Sequence, residues 1–277
     1  MILNTPNFSI SPTHHTPNDQ SVLIAFEGNQ TLLRQDGDQY QLISWPDIAP
    51  YLPEQFIPFE LAHSEETSIF CPPIHEAFAL PEGTPFVYRD MSTFRQMETN
   101  DAALLISSFH LWSWYHKNRF CGCCAHPLTP DQYERALRCQ SCGNLIFPTI
   151  APAVIVAITC GDRILLARNA RGNFRHYALI AGFVEVGETL EQALHREVME
   201  EVGLPIHSIK YIGNQPWGVS GSMMFAFHAQ ADDQLALTLQ ESEISSAKWF
   251  DRSELEQRQN SQSIAFELIE RFRKGIL

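Results

Sequence analysis

Positive charge is scarce in this chain of 277 residues: 19 Lys and Arg stand against 32 Asp and Glu, a formal net charge of -13 at pH 7. That balance argues against the sequence-independent grip on phosphate backbones that basic proteins exert, and it admits an anionic substrate where metal ions stand between the two. Long apolar runs are missing as well. The most hydrophobic stretch, Ala102 to Tyr115, is interrupted by serines and a histidine. It falls short of the roughly 18 residues a membrane span needs, so no membrane partner is expected. The opening Met-Ile-Leu-Asn-Thr-Pro lacks a basic segment followed by an apolar one, and the expectation is a cytoplasmic protein. In a reducing compartment the seven cysteines read as metal ligands and free thiols rather than a disulfide framework.

What is present divides the chain into segments. The length exceeds one typical domain, and 44% hydrophobic content supplies real cores. Residues 1–19, rich in Asn, Pro, Ser, Thr and His, read as a loose tail in which His14 and His15 have no assigned role. Residues 20–118 read as a small α+β accessory domain that serves as scaffold or dimer support. Short apolar runs at 22–26, 31–34, 40–44 and 86–89 predict strands, the first three joined by Glu-Gly-Asn and Asp-Gly-Asp turns. Asn100 or Asp101 is positioned to cap a helix to about Lys117, whose aromatic stripe reads as core or interface, with a nucleobase platform as the other use.

Residues 119–147 contain Cys121, Cys124, Cys139 and Cys142 as two CxxC knuckles 14 residues apart, the spacing of a structural zinc ribbon whose four thiolates close a tetrahedral site. Cys123 competes with Cys124 inside the first knuckle, and C-x2-C geometry favours Cys124. Cys71 and Cys160 lack a partner pattern and read as ordinary buried thiols. From 148 to 277 the pattern gives a hairpin over 150–168, a strand at about 177–183, further strands at 223–228 and 247–250, and a closing amphipathic helix at 263–273.

The most informative stretch is Gly182 to Leu204, GFVEVGETLEQALHREVMEEVGL. Thr189 with Gln192 forms a capping-box pattern, Leu190, Leu194, Val198 and Val202 form an apolar stripe, and Gly203 stands where a left-handed C-cap is expected. This predicts a helix of about 13 residues. Glu197, Glu200 and Glu201 fall on one face near its negative end, an electrostatically poor arrangement that asks for a cation; hard oxygen ligands suit Mg²⁺ or Mn²⁺. The preceding segment, with Gly182 and Gly187, reads as a turn allowing close backbone approach to a ligand.

Gly182, Glu188, Arg196-Glu197-Val198, Glu200-Glu201 and Gly203-Leu204 resemble the full signature of the Nudix hydrolases, G-x5-E-x7-R-E-U-x-E-E-x-G-U with U aliphatic. The resemblance implies a C-terminal α/β/α sandwich, hence a multidomain α+β/α/β chain. The ribbon ahead of it, and Gln215-Pro216-Trp217 with Ser222 and Met224 after it, are similar to the NADH pyrophosphatase branch and its S-Q-P-W-P-F-P-x-S motif. Asn214 replaces the first serine of that motif, Gly218-Val219-Ser220 replaces Pro-Phe-Pro, and Phe147 stands where tyrosine is expected.

The family likeness implies hydrolysis of the pyrophosphate of NADH or NAD⁺ to AMP and nicotinamide mononucleotide by a homodimer. The alternatives are removal of NAD caps from RNA, hydrolysis of another nucleoside diphosphate conjugate, or a non-enzymatic nucleotide-sensing adaptor. It implies Glu197, Glu200, Glu201 and Glu243 as Mg²⁺ or Mn²⁺ ligands, Arg196 as the group that orients a glutamate, and Glu188 as a ligand or a support for one. Phe183, Gln215, Trp217, Ser222, Ala265 and Phe147 would meet the substrate, with Glu243 touching metal or base.

Overall fold

The computed structural model describes residues 8, 15–64, 67–76, 78–79, 83–170, 176–232, 234–256 and 262–277. Two compact units emerge: Leu3–Thr149 with Gly218–Gly221, and a second built from Ile150–Trp217 and Ser222–Leu277. Among the described residues no helix is long and apolar enough to cross a membrane.

In the first unit, strands Ile43–Ser44, Val22–Leu23, Ser68–Cys71 and Phe59–His63 lie side by side in that order, and Phe26–Glu27, Gln30–Asp36 and Gln39–Gln41 form a meander extended by Phe86–Asp90. Gly28 and Gly37 adopt positive φ (57° and 59°), the backbone their tight turns require. Leu23, Leu32, Ile43, Ile48, Phe70 and Phe86 close the core.

The aromatic helix runs Thr99–Lys117 and begins earlier than expected: Glu98 occupies the N-cap without a side-chain capping bond. Asp101 instead accepts a bond from the Leu42 amide at 3.4 Å, which explains why a good capping residue lies inside the helix. The tail reading also needs revision at its end. Residues 1–7 and 9–14, His14 included, lie outside the described residues, but the His15 amide and ring both bond Glu60. The ribbon is a three-stranded sheet ordered Leu145–Ile146, Leu137–Cys139, Leu128–Pro130.

The second unit is a six-stranded mixed sheet between helices. We label its elements β1 (Ala151–Cys160), β2 (Arg163–Asn169), β3 (Ile180–Phe183), α1 (Leu190–Val202), β4 (His207–Trp217), β5 (Ser222–Gln230), β6 (Ile244–Asp251) and α2 (Ile264–Arg273). The order is β4-β5-β1-β2-β6, with β3 paired to the first half of β1 and β2 to its last residues. Alternation along β1 builds both cores: Val154, Val156 and Ile158 pack with α1, while Ile155 and Ala157 pack with α2. The near-continuous burial of β1 is what a strand covered on both faces shows.

Thr189 accepts from the Gln192 amide and Gln192 reaches back to the Thr189 amide, completing the capping box that starts α1. Its end is set by Gly203, at φ 70°, whose amide donates to Met199 O at 3.0 Å. A Cβ there would lie 2.8 Å from Thr238 Cβ. Gly203→Ala is expected to cost about 1–2 kcal/mol from the left-handed backbone alone, more with the Thr238 contact; denaturant melts check this, and a variant as stable as the parent would contradict it.

Candidate functional site

Arg196 organises the acidic face of α1. Its Nε and Nη2 donate to the two oxygens of Glu188 at 2.7 and 2.9 Å, a bidentate pair. Nη1 donates to Glu197 at 2.8 Å and to Glu200 at 3.1 Å, and Nη2 also reaches the Phe183 carbonyl at 2.9 Å. One guanidinium therefore ties the end of β3, the turn and the helix together. The Arg196 bonds hold the Glu188 carboxyl down at about 2, aided by the Glu185 amide.

Glu201 lies on the inner side of α1, 8% exposed. Burial, with the charges of Glu197, Glu243 and Glu200 beside it, pushes its carboxyl up to about 7. Burial likewise raises Glu197, against the pull of Arg196. Glu243 stands just before β6 and is fixed by its backbone: its carbonyl accepts from the Ala170 amide at 2.6 Å. Sequence spacing grouped Glu197, Glu200 and Glu201 as one set; in the structure Arg196 holds the first two, and Glu243 joins the field around Glu201. Two buried carboxyls forced toward the neutral form are what a cation would relieve, so the donor set fits a hard divalent ion.

The sequence pattern puts Gly182 both at the end of the 177–183 strand and at the start of the turn. It lies within β3, opposite Val154, facing α1. A Cβ at this position would overlap the Glu197 carboxylate. The glycine is needed because an acid sits where a side chain would be. Gly187, at φ 90°, is the residue that serves the turn.

The other face of the sheet gathers the residues expected to meet a substrate. Phe183 is registered to Ala153, Ala153 to Met224, and Met224 to Gln215, so these four form one row on the α2 side. Trp217 and Ser222 form the next pair on that face. Phe183 remains 51% exposed, whereas Gln215 is fully buried. Gln215 donates to Gln262 O at 2.9 Å and accepts from the Ile264 amide at 2.7 Å, which pins the start of α2 and with it Ala265. Spacing gave no sign of that anchoring role, since its partners lie more than 45 residues away. Phe147, 53% exposed, belongs to the first unit.

In the ribbon, Cys121, Cys124, Cys139 and Cys142 converge, with Sγ separations of 3.7 Å (Cys121–Cys142) and 3.4 Å (Cys124 to Cys139 and to Cys142). Tetrahedral zinc with bonds of about 2.3 Å needs sulfurs about 3.8 Å apart, so the cluster fits the ion with slight expansion. The Cys123 amide lies 3.4 Å from Cys121 Sγ and lowers that thiol to about 6, favouring the thiolate a metal binds. Cys123 itself is exposed and lies outside the cluster, whereas Cys124 is part of it. Cys71 is buried, its pKa raised by that burial; Cys160 is half-buried.

Parts of the chain are similar to known proteins. The NUDIX domain model matches residues 149–272, and the NADH pyrophosphatase zinc ribbon domain matches residues 116–147. Curated relatives bearing the name NAD-capped RNA hydrolase NudC are similar to part of this chain. The one from Salmonella typhi is 42% identical over 58% of this chain and 63% of its own length. The one from Salmonella paratyphi C is 40% identical over 60% of this chain and 65% of its own length. The match thus spans less than two thirds of these relatives. A NUDIX hydrolase structure from Nitrosomonas europaea aligns with 56% of this chain and 90% of its own, at 19% identity and a TM-score of 0.45.

Because the folded pKa of Glu201 lies above its ordinary 4.5, the group favours the fold at low pH. That contribution is lost as pH rises from about 4.5 through about 7. With only the ribbon zinc present, melting temperature is expected to fall across that window, and Glu201→Gln to flatten the fall. An identical pH profile in the variant would contradict the assignment.

Proposed function

From the premise that this chain belongs to the Nudix family, with the NADH pyrophosphatase zinc ribbon domain ahead of its NUDIX domain, we propose that it hydrolyses the pyrophosphate bond of NADH or NAD⁺ to AMP and (reduced) nicotinamide mononucleotide. The observation behind this reading is the carboxylate cluster formed by Glu197, Glu200 and Glu201 on α1 with Glu243 from the turn before β6, in a domain that directly follows that ribbon. The proposed setting is the cytoplasm, where thiols stay reduced, consistent with seven free cysteines.

In this reading Glu197, Glu200, Glu201 and Glu243 hold Mg²⁺ or Mn²⁺, which supplies neutralisation of the pyrophosphate charge and a water acidified for attack on phosphorus. The chain's own contribution is placement. Arg196 orients Glu188, Glu197 and Glu200, Gly182 leaves Glu197 its space, and exposed Phe183, backed by Arg196 through its carbonyl, offers a ring on which a base stacks. Pinned by Gln215, α2 brings Ala265 to the same side of the sheet. A homodimer belongs to the same proposal, for which the helix Thr99–Lys117 supplies the half-buried aromatics Phe109, Trp112 and Tyr115; sedimentation at micromolar concentration tests it.

A second reading, removal of NAD caps from RNA, is favoured by the name the Salmonella relatives bear. It breaks the same bond in a larger polyanion, against a net charge of -13. Rates on free NADH and on NAD-capped RNA, with products identified, decide between the two.

With Mg²⁺ or Mn²⁺ supplied, Glu201→Gln is expected to reduce kcat by about 100-fold or more, and Gly182→Ala by about 10-fold through displacement of Glu197, each tenfold corresponding to about 1.4 kcal/mol. Tight NADH binding without hydrolysis in the parent protein would instead favour a nucleotide-sensing adaptor.

A further inference from the structure

The first unit contains a second convergence of ligating atoms, distant in sequence from the cysteines and from the acidic helix. His15, Glu60 and His63 bring two ring nitrogens and a carboxylate oxygen within 4.8 Å of one another. His15 Nδ1 lies 2.6 Å, and His63 Nδ1 3.4 Å, from the same oxygen, Glu60 Oε1. The two rings meet edge to face with centroids 4.5 Å apart. The other oxygen, Oε2, accepts from the His15 amide at 2.8 Å, which fixes the carboxylate's orientation.

The backbone is shaped to make this group possible. In a regular strand residues 60 and 63 face opposite sides, because side chains alternate. The register of Phe59–His63 against Ser68–Cys71 slips between Glu60 and Ala62, leaving Leu61 as an extra residue. Glu60 is then opposite Phe70, and His63 opposite Ser68, so the two share a face. The bulge lies on an edge strand of its sheet. The Glu60 side chain is only 8% exposed and His63 14%, whereas His15 at 42% is the side open to solvent. The Glu60 carboxylate is thus largely withdrawn from water, with two imidazole rings against one of its oxygens.

We propose that His15, Glu60 and His63 form a binding site for a borderline divalent transition ion of the Zn²⁺ class, separate from the ribbon and from the acidic helix. Two imidazole nitrogens and one carboxylate oxygen are the donor set such ions take, and three protein ligands leave one position for water. Bonds of about 2.0–2.1 Å in a tetrahedron hold nitrogen and oxygen about 3.4 Å apart. His63 is already at that spacing from Glu60, and His15 reaches it by opening its hydrogen bond by less than about 1 Å. Bound there, the ion staples the chain from residue 15 onward to the sheet edge.

The test uses the full chain with its ribbon already zinc-loaded and excess Mg²⁺ present to occupy the acidic helix. Calorimetric titration with Zn²⁺ is expected to show one further equivalent, and Co²⁺ at that site to add visible bands without thiolate-to-metal absorption. His63→Ala, Glu60→Gln and His15→Ala should each weaken the further equivalent by about 10-fold or more. His15 lies outside regular structure, so its replacement keeps the test decisive if a change at His63 disturbs the strand. Absence of a further equivalent, or one indifferent to His15→Ala and His63→Ala, overturns the proposal.

Discussion

A single guanidinium sets the geometry of the acidic helix. Arg196 holds Glu188 in a bidentate pair and donates to Glu197, Glu200 and the Phe183 carbonyl. Without it, like charges at positions 197, 200 and 201 would repel along a helix end whose dipole already disfavours them. One positive charge cannot balance four carboxylates. Burial first, and the remaining like charge second, raise the pKa values of Glu197 and Glu201. The fold therefore stores an electrostatic deficit at one spot, and a divalent cation is the ligand that discharges it.

The ribbon answers a different problem. Its sheet has three strands of two or three residues, too short for a hydrophobic core, and four thiolates closed on one ion substitute for that core. Its ligands come from two knuckles within 22 residues of chain, so the cluster forms locally. The acidic site needs a full sheet to assemble, because Glu243 and α1 meet only when β6 is in place. The cysteine cluster is thus locally closed, whereas the acidic cluster is assembled over long range with Glu201 and Glu197 largely withdrawn from water.

Much of this could be read from the sequence, where local rules govern. The capping box at Thr189, the left-handed Gly203 and the hairpin over β1 and β2 all rest on contacts a few residues apart. Strand β4, His207–Trp217, escaped detection because bulges break its alternation and its exposed Ser, Lys, Tyr and Asn residues do not read as a buried strand. The short strands Phe59–His63 and Ser68–Cys71 are hidden for a related reason: a bulge scrambles the first. The roles of Gly182, Gln215 and His15 depend on partners 15 to 49 residues away. Composition could mark these residues, but only the assembled sheet says what each one touches.

The arrangement of β3 shows why the two halves of the candidate site are coupled. Gly182 and Phe183 are neighbours in the chain, and alternation sends them to opposite faces: Gly182 toward α1 and the Glu197 carboxylate, Phe183 toward the row containing Met224 and Gln215. A one-residue slip of β3 against β1 would bury a phenylalanine against the acids and leave the other face bare. Arg196 guards against that slip, because its bond to the Phe183 carbonyl fixes the strand relative to the same helix that carries the glutamates. The distance between where a base can stack and where a phosphate can meet carboxylates is therefore set by one strand's register, locked from the helix side. A substitution that loosens Arg196 should disturb recognition and chemistry together, although the exposed Phe183 ring is on the far face of the sheet from the acids.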